Sequence, residues 1–248
     1  KVVAAIFFTL VLVIYWLNKD SDTNVAYITQ TDIEEPSTLT ATAADYQTDT
    51  IPQNSVLLGY LMEGYKPTDN QFKELTHIAI SFLQAANPKG DVVMTQGWDN
   101  LDDIITAAHL NNVKAIISFG GGGYKITPEL MGNKKNRQNL IKNILRFMRK
   151  HKFDGFDCDW EPSWIDDKVV MESINNTITH YYITFIKEFR EALDLEFGKG
   201  AKSFTAAIMH GNSIWYSPFK KISHFPKNGW WNYLDWIALM NYDNDLGA

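Results

Sequence analysis

Residues 153–161 read FDGFDCDWE, and the order of charged and apolar residues within them sets the architecture. Side chains alternate across a β-strand, so Asp157, Asp159 and Glu161 share one face while Phe156, Cys158 and Trp160 share the other. The apolar face suits packing under helices. The acidic face suits the inside of a rolled sheet, climbing toward the C-terminal mouth where barrel active sites lie. Neighbouring carboxylates on one face stand about 7 Å apart at strand rise. In a partly buried site they cannot all ionise freely, so a proton is expected to be shared and the acidities to separate. A carboxylic acid that keeps its proton near neutrality is what a general acid needs. Glu161, the longest and the nearest to the mouth, is the candidate. A divalent-metal cluster is the rival, but no histidine or further acid accompanies the motif at ligand spacing.

The flanking sequence alternates short apolar runs with longer stretches of helical period. The runs are VLLGYLM (56–62), HIAISFLQA (77–85), KAIISFGG (114–121), the acidic strand itself, SFTAAIMH (203–210) and LDWIALMNYD (234–243). Residues 99–111, 134–151 and 168–197 read as helices, the last with Tyr181, Phe185 and Phe189 at i, i+4 and i+8. Residues 211–232 read as loop with a short helix. Such alternation predicts a parallel sheet covered by helices. No GxGxxG follows the first strand, and GGGG at 120–123 lacks the spacing of a phosphate loop. A (β/α)8 barrel takes about 250 residues, roughly 30 per unit. The 193 residues from 56 to 248 hold six strands, so the predicted class is α/β, a TIM barrel present as about its first six units.

Before residue 56 the character changes. Val2–Leu17 reads VVAAIFFTLVLVIYWL behind one lysine, which predicts a signal anchor or signal peptide over 1–17. Residues 18–55 are Thr-rich and acidic without hydrophobic period, which predicts a disordered linker. The linker carries a charge of −6 and the body from 56 onward only −1. A near-neutral body is unsuited to nucleic acid held by phosphate contacts. The single cysteine, Cys158, excludes an intrachain disulfide and a cysteine-cluster zinc site. The six histidines are scattered without paired ligand spacing, so neither a metal nor another cofactor is expected. Asn175-Asn176-Thr177 is an N-glycosylation acceptor, which fits the secretory pathway, with the body anchored outside a membrane or secreted.

FDGFDCDWE matches the DGxDxDxE signature and resembles the acidic strand of glycoside hydrolase family 18 chitinases. Three further blocks resemble that family in order and separation. Ser118-Phe119-Gly120-Gly121 is similar to its third-strand SxGG, Met240, Tyr242 and Asp243 to its sixth-strand MxYD, and HIAISF, ending in Phe82, to its second strand. The resemblance covers about residues 56–248. It implies retaining, substrate-assisted hydrolysis of β-1,4-linked N-acetylglucosamine polymers. Glu161 would protonate the glycosidic oxygen, and the substrate's own acetamido carbonyl would be the nucleophile. Asp159 would orient the acetamido group, Asp157 would hold or share a proton with Asp159, and Tyr242 would hydrogen-bond the acetamido oxygen. Tyr60, Phe82, Gly120, Gly121, Trp164, Met240 and Asp243 are the implied substrate contacts.

Trp98, Tyr124, Trp215 and Tyr216 are further aromatics expected near the mouth, each as well explained by loop packing as by sugar stacking. Trp230, Trp231 and Trp236 read as core. The sequence departs from the family where Gly122 follows SxGG in place of tryptophan and where Pro162 directly follows the acid. The expected partner is chitin or another N-acetylglucosamine-containing glycan, bound by a monomer. Two alternatives share the motif: an endo-β-N-acetylglucosaminidase acting on N-glycans, and a non-hydrolytic, lectin-like carbohydrate binder. The resemblance also places two more units beyond residue 248, so the chain is expected to be a truncated member.

Overall fold

The computed structural model describes residues 11–13, 55–63, 65–95, 97–122, 124, 126–160, 168–209 and 229–240. Their strands are β1 (Val11–Val13), β2 (Leu57–Leu61), β3 (His77–Ala85), β4 (Val92–Met94), β5 (Lys114–Gly120), β6 (Gly155–Asp159), β7 (Ser203–Met209) and β8 (Trp236–Met240). The helices are α1 (Asp69–Lys73), α2 (Leu101–Leu110), α3 (Pro128–Gly132), α4 (Lys134–His151) and α5 (Lys168–Phe197), with a 3₁₀ turn at Trp230–Tyr233. All strands form one sheet in the order β1-β2-β3-β5-β6-β7-β8, with β4 paired to β3 outside that path. Neighbours from β2 to β8 are parallel; β1 and β4 are antiparallel additions. The sheet curls with helices on its outside, and the fold is a partial TIM barrel.

The six sequence-predicted strands all lie in this parallel array, and the three long helices stand where their periods put them. Helix α4 begins at Asn133, whose side chain accepts from the amides of Lys135 and Asn136, and ends at Lys152 in the left-handed conformation. It buries Leu140, Ile141, Ile144, Leu145 and Met148 along one stripe. On α5 the buried stripe is Tyr182, Phe185, Ile186, Phe189 and Leu193. Tyr181, expected in that stripe, is half-buried and lies beside it.

Two apolar layers follow from strand alternation. Outside the sheet, Phe119, Phe156 and Phe204 pack on Phe185 and Phe189, with Phe156 stacked on Phe189 at 4.1 Å between ring centroids. Cys158 and Trp160 belong to this outer layer, as their parity requires. Inside the curl a smaller group is built from Leu58, Ala79, Ile116, Ala207, Trp236 and Ala238, with Tyr60 and Met240 packed against it. Trp230 is buried and Trp231 half-buried against the outer layer, so all three late tryptophans are core residues.

The structure adds elements that periodicity does not signal. The β3–β4 hairpin carries the second parallel strand beyond the barrel, and α1 and α3 are single turns set by Thr68 and Thr127 caps. Among the described residues no helix is long and apolar enough to cross a membrane. Of the apolar segment 2–17 only Val11–Val13 is described, as a strand on the edge of β2, and the linker 18–55 lies outside the described residues apart from Ser55.

Candidate active site

The acidic strand is β6, and its inner parity places Gly155, Asp157 and Asp159 inside the curl. Gly155 has no room for a side chain: a Cβ there would stand 2.7 Å from the Ile116 methyl and 2.7 Å from the Ser203 carbonyl oxygen. Register aligns Asp157 with Ser118 on one side and Thr205 on the other, and Asp159 with Gly120. The neighbours of Asp157 are therefore fixed by the sheet.

Asp157 is fully buried and accepts three hydroxyl hydrogen bonds. Thr205 Oγ1 donates to Oδ1 at 2.6 Å, while Ser118 Oγ (2.9 Å) and the Tyr60 hydroxyl (3.0 Å) donate to Oδ2. These donors come from β7, β5 and β2, so one carboxylate ties together strands from both sides of the curl. Burial drives its pKa above the ordinary carboxylate range, against the pull of the Thr205, Ser118 and Tyr60 hydroxyls. Such a group holds a proton more readily than an exposed aspartate. Asp159, one pleat nearer the mouth, is also buried.

The wall beside Asp159 is the end of β5. Gly120 and Gly121 both have positive φ, 119° and 91°. A Cβ on Gly120 would strike the Asp159 carbonyl oxygen, and one on Gly121 would meet the Phe82 ring at 2.7 Å. The Gly121 amide donates to the Asp159 carbonyl at 2.9 Å. Phe82, joined to Ser81 by a cis peptide bond, is half-buried against this turn.

Of the expected site residues the structure thus gathers Tyr60, Asp157, Asp159, Phe82, Gly120 and Gly121. Met240 lies at the end of β8 against the inner layer. Glu161, Trp164, Tyr242 and Asp243, like the loop aromatics Trp215 and Tyr216, lie outside the described residues. Thr205 was not a sequence candidate. Its signal is a hydroxyl at an inner position within a strand that is otherwise apolar from Phe204 to Met209, which only the parity of β7 against β6 makes readable. Trp98 is a packing residue, 8% exposed, with its indole N–H donating to the Ser81 carbonyl at 3.1 Å. Tyr124 donates its hydroxyl to the Ala85 carbonyl at 2.7 Å and packs edge-on against Phe119.

The family profile of glycosyl hydrolases family 18 matches residues 52–245. This chain belongs to that family. Among curated relatives, the class V chitinase CHIT5 of Lotus japonicus is 29% identical over 175 residues, covering 68% of this chain and 41% of its own length. Among solved structures, a mutant class V chitinase of Nicotiana tobaccum in complex with NAG4 aligns with a TM-score of 0.57 at 23% identity, covering 75% of this chain and 52% of that one. A chitinase-like agglutinin of Robinia pseudoacacia aligns with a TM-score of 0.59 at 21% identity, covering 75% and 55%. This family 18 chain therefore spans about half the length of the relatives it matches or less, and the two structures show its fold.

Proposed function

We propose that this family 18 chain carries the acidic half of a retaining glycosidase that cleaves β-1,4-linked N-acetylglucosamine polymers. The observation that carries the reading is the Asp157 cage beside Asp159. A buried carboxyl with three hydroxyl partners and a raised proton affinity stands one pleat below a second buried carboxyl, Asp159, which Glu161 follows by two residues in the sequence. Glu161 protonates the leaving oxygen. The substrate's acetamido carbonyl attacks the anomeric carbon, and the bond to the leaving oxygen breaks. Asp159 holds the acetamido N–H and faces the positive charge that develops. Asp157 takes up or returns the proton that lets Asp159 change charge, and Tyr242 hydrogen-bonds the acetamido oxygen. Tyr60, assigned to substrate contact from sequence, serves in addition as an Asp157 donor.

The substrate must bring its own nucleophile, so N-acetylated sugars are turned over and their deacetylated counterparts are not. Trp164, Met240 and Asp243 complete the substrate contacts. The apolar head at 1–17 routes the domain, a monomer, into the secretory pathway, and the pairing of Val11–Val13 with β2 speaks against that head remaining in a bilayer. The test is hydrolysis of a fluorogenic chitobioside by the intact protein. Turnover lost in Glu161→Gln supports the assignment; equal turnover refutes it. Binding of chitin with no product from the wild type would instead favour a lectin-like member, a reading that the likeness to an agglutinin keeps in view. Release from glycoprotein but not from chitin would favour an N-glycan endoglycosidase.

A further inference from the structure

We propose that Gln84 is a positioning residue for the acidic strand, acting through the Gly120–Gly121 peptide. Leu83 pairs with Phe119 and packs into the outer layer, so Gln84 takes the opposite, mouth-facing side. Its Nε2 donates to the Gly120 carbonyl at 3.1 Å. That carbonyl and the Gly121 amide belong to one peptide unit, and the Gly121 amide donates to the Asp159 carbonyl. Three groups therefore stand in series: the Gln84 amide, a single peptide plane, and the backbone that follows the Asp159 side chain.

A peptide between two glycines of positive φ has little steric resistance to rotation about its flanking bonds. Rotation would turn the Gly121 N–H away from Asp159 and bring the Gly120 carbonyl toward it, replacing attraction by repulsion. The Gln84 side chain opposes this because its Nε2 donates to the carbonyl where it now points, and a turned peptide would break that bond and present an N–H to the donor unless the amide also turned over. The donor is itself held in place. The Tyr124 hydroxyl fixes the adjacent Ala85 carbonyl at 2.7 Å. At the hairpin tip, Asn139 and Asn143 of α4 donate to the carbonyls of Lys89 and Gly90 at 2.7 and 2.9 Å. Gly90 sits so close to α4 that a Cβ would stand 2.6 Å from the Leu140 amide nitrogen. The β3–β4 hairpin is thus an arm braced on α4 that presents one amide to the wall of the site.

The geometric role stands without the hydrolase reading; its consequence for turnover rests on that reading. The experiment compares the intact wild type with Gln84→Met, which keeps length and removes the donor, and with Gln84→Glu, which donates only when protonated. Amide hydrogen exchange at Gly121 and chitobioside kinetics are followed across pH. In Gln84→Met, Gly121 exchange rises at least about tenfold while Ile116 and Ile117 stay within about twofold. The same variant loses about tenfold in kcat with KM within about twofold, because the loss is one of alignment. In Gln84→Glu both effects appear at neutral pH and diminish as the pH falls and the new carboxyl regains its proton, a recovery that mere loss of packing would not give. Unchanged Gly121 protection in both variants overturns the proposal, as does faster exchange with undiminished kcat. A wild type without turnover sinks the hydrolase reading alone, and the exchange data then decide the role of Gln84.

Discussion

Asp157 holds its carboxyl where water cannot reach it, and the sign of its pKa shift makes that measurable. The folded protein binds its proton more tightly than the unfolded chain does, with burial as the dominant cause. Stability therefore falls as pH rises from the ordinary carboxylate value through the folded one, and stays reduced above it. Asp157→Asn removes this titration and keeps a polar partner for Ser118, Thr205 and Tyr60. Urea titrations are expected to give it stability equal to or above wild type at neutral pH, with a flatter pH dependence. Asp157→Leu leaves the buried Ser118 and Thr205 hydroxyls without their acceptor, at about 1–3 kcal/mol each. His77 works in the opposite sense. It is buried at the foot of β3, edge-on to Trp236, and burial followed by the charge of Lys114 lowers its pKa to about 4 from 6.5. Between those two values the unfolded chain takes a proton that the folded protein refuses, so stability declines as pH falls, by about 3 kcal/mol in all. His77→Phe should flatten that acid limb; an unchanged limb would mean that the imidazole is not the titrating group.

Strands and helices are joined at the foot of the barrel by a repeated device. Thr76, Asp154 and Asp235 immediately precede β3, β6 and β8, every second strand of the parallel array, and each accepts an amide of the parallel strand before it, from Leu57, Ala115 and Phe204 at 2.8, 3.0 and 2.7 Å. His109 joins Asp154 at 2.7 Å, and Arg190 joins Asp235 at 3.3 Å, so helices α2 and α5 are tied to the same points. Asp154→Ala orphans the Ala115 amide and is expected to cost about 2 kcal/mol in urea unfolding without altering substrate affinity. Higher up, Arg137 donates from Nε and Nη2 to both oxygens of Glu188 at 2.7 and 2.8 Å and from Nη1 to the Met131 carbonyl, joining α3, α4 and α5. Glu188→Ala leaves the buried guanidinium uncompensated and should destabilise by about 3 kcal/mol. The long elements are legible in the sequence because each has a clear period and enough residues to average over. The α4 boundaries follow from an Asn cap and a basic end. The β3–β4 hairpin was not legible: VVM is too short to show alternation, and its pairing depends on contacts with α4 that lie some fifty residues away in the chain.

The molecule as a whole separates an outer aromatic layer from an inner, partly polar one, and that division is what the alternation of FDGFDCDWE encodes. The inward turn of Asp157 and Asp159 was readable from parity alone, because from Phe156 onward the apolar and the acidic sets are unmixed. The partners of Asp157 were not: Ser118, Tyr60 and Thr205 are far apart in sequence, and only the register of the curled sheet brings their hydroxyls to one carboxylate. The most direct measurement follows chitotetraose in the intact protein by proton NMR, reading the anomer of each new reducing end. Retention with Glu161 as the acid predicts that the β anomer appears first and that Glu161→Gln slows its appearance by at least about a thousandfold. New ends that appear first as the α anomer, or an undiminished rate in Glu161→Gln, would contradict it.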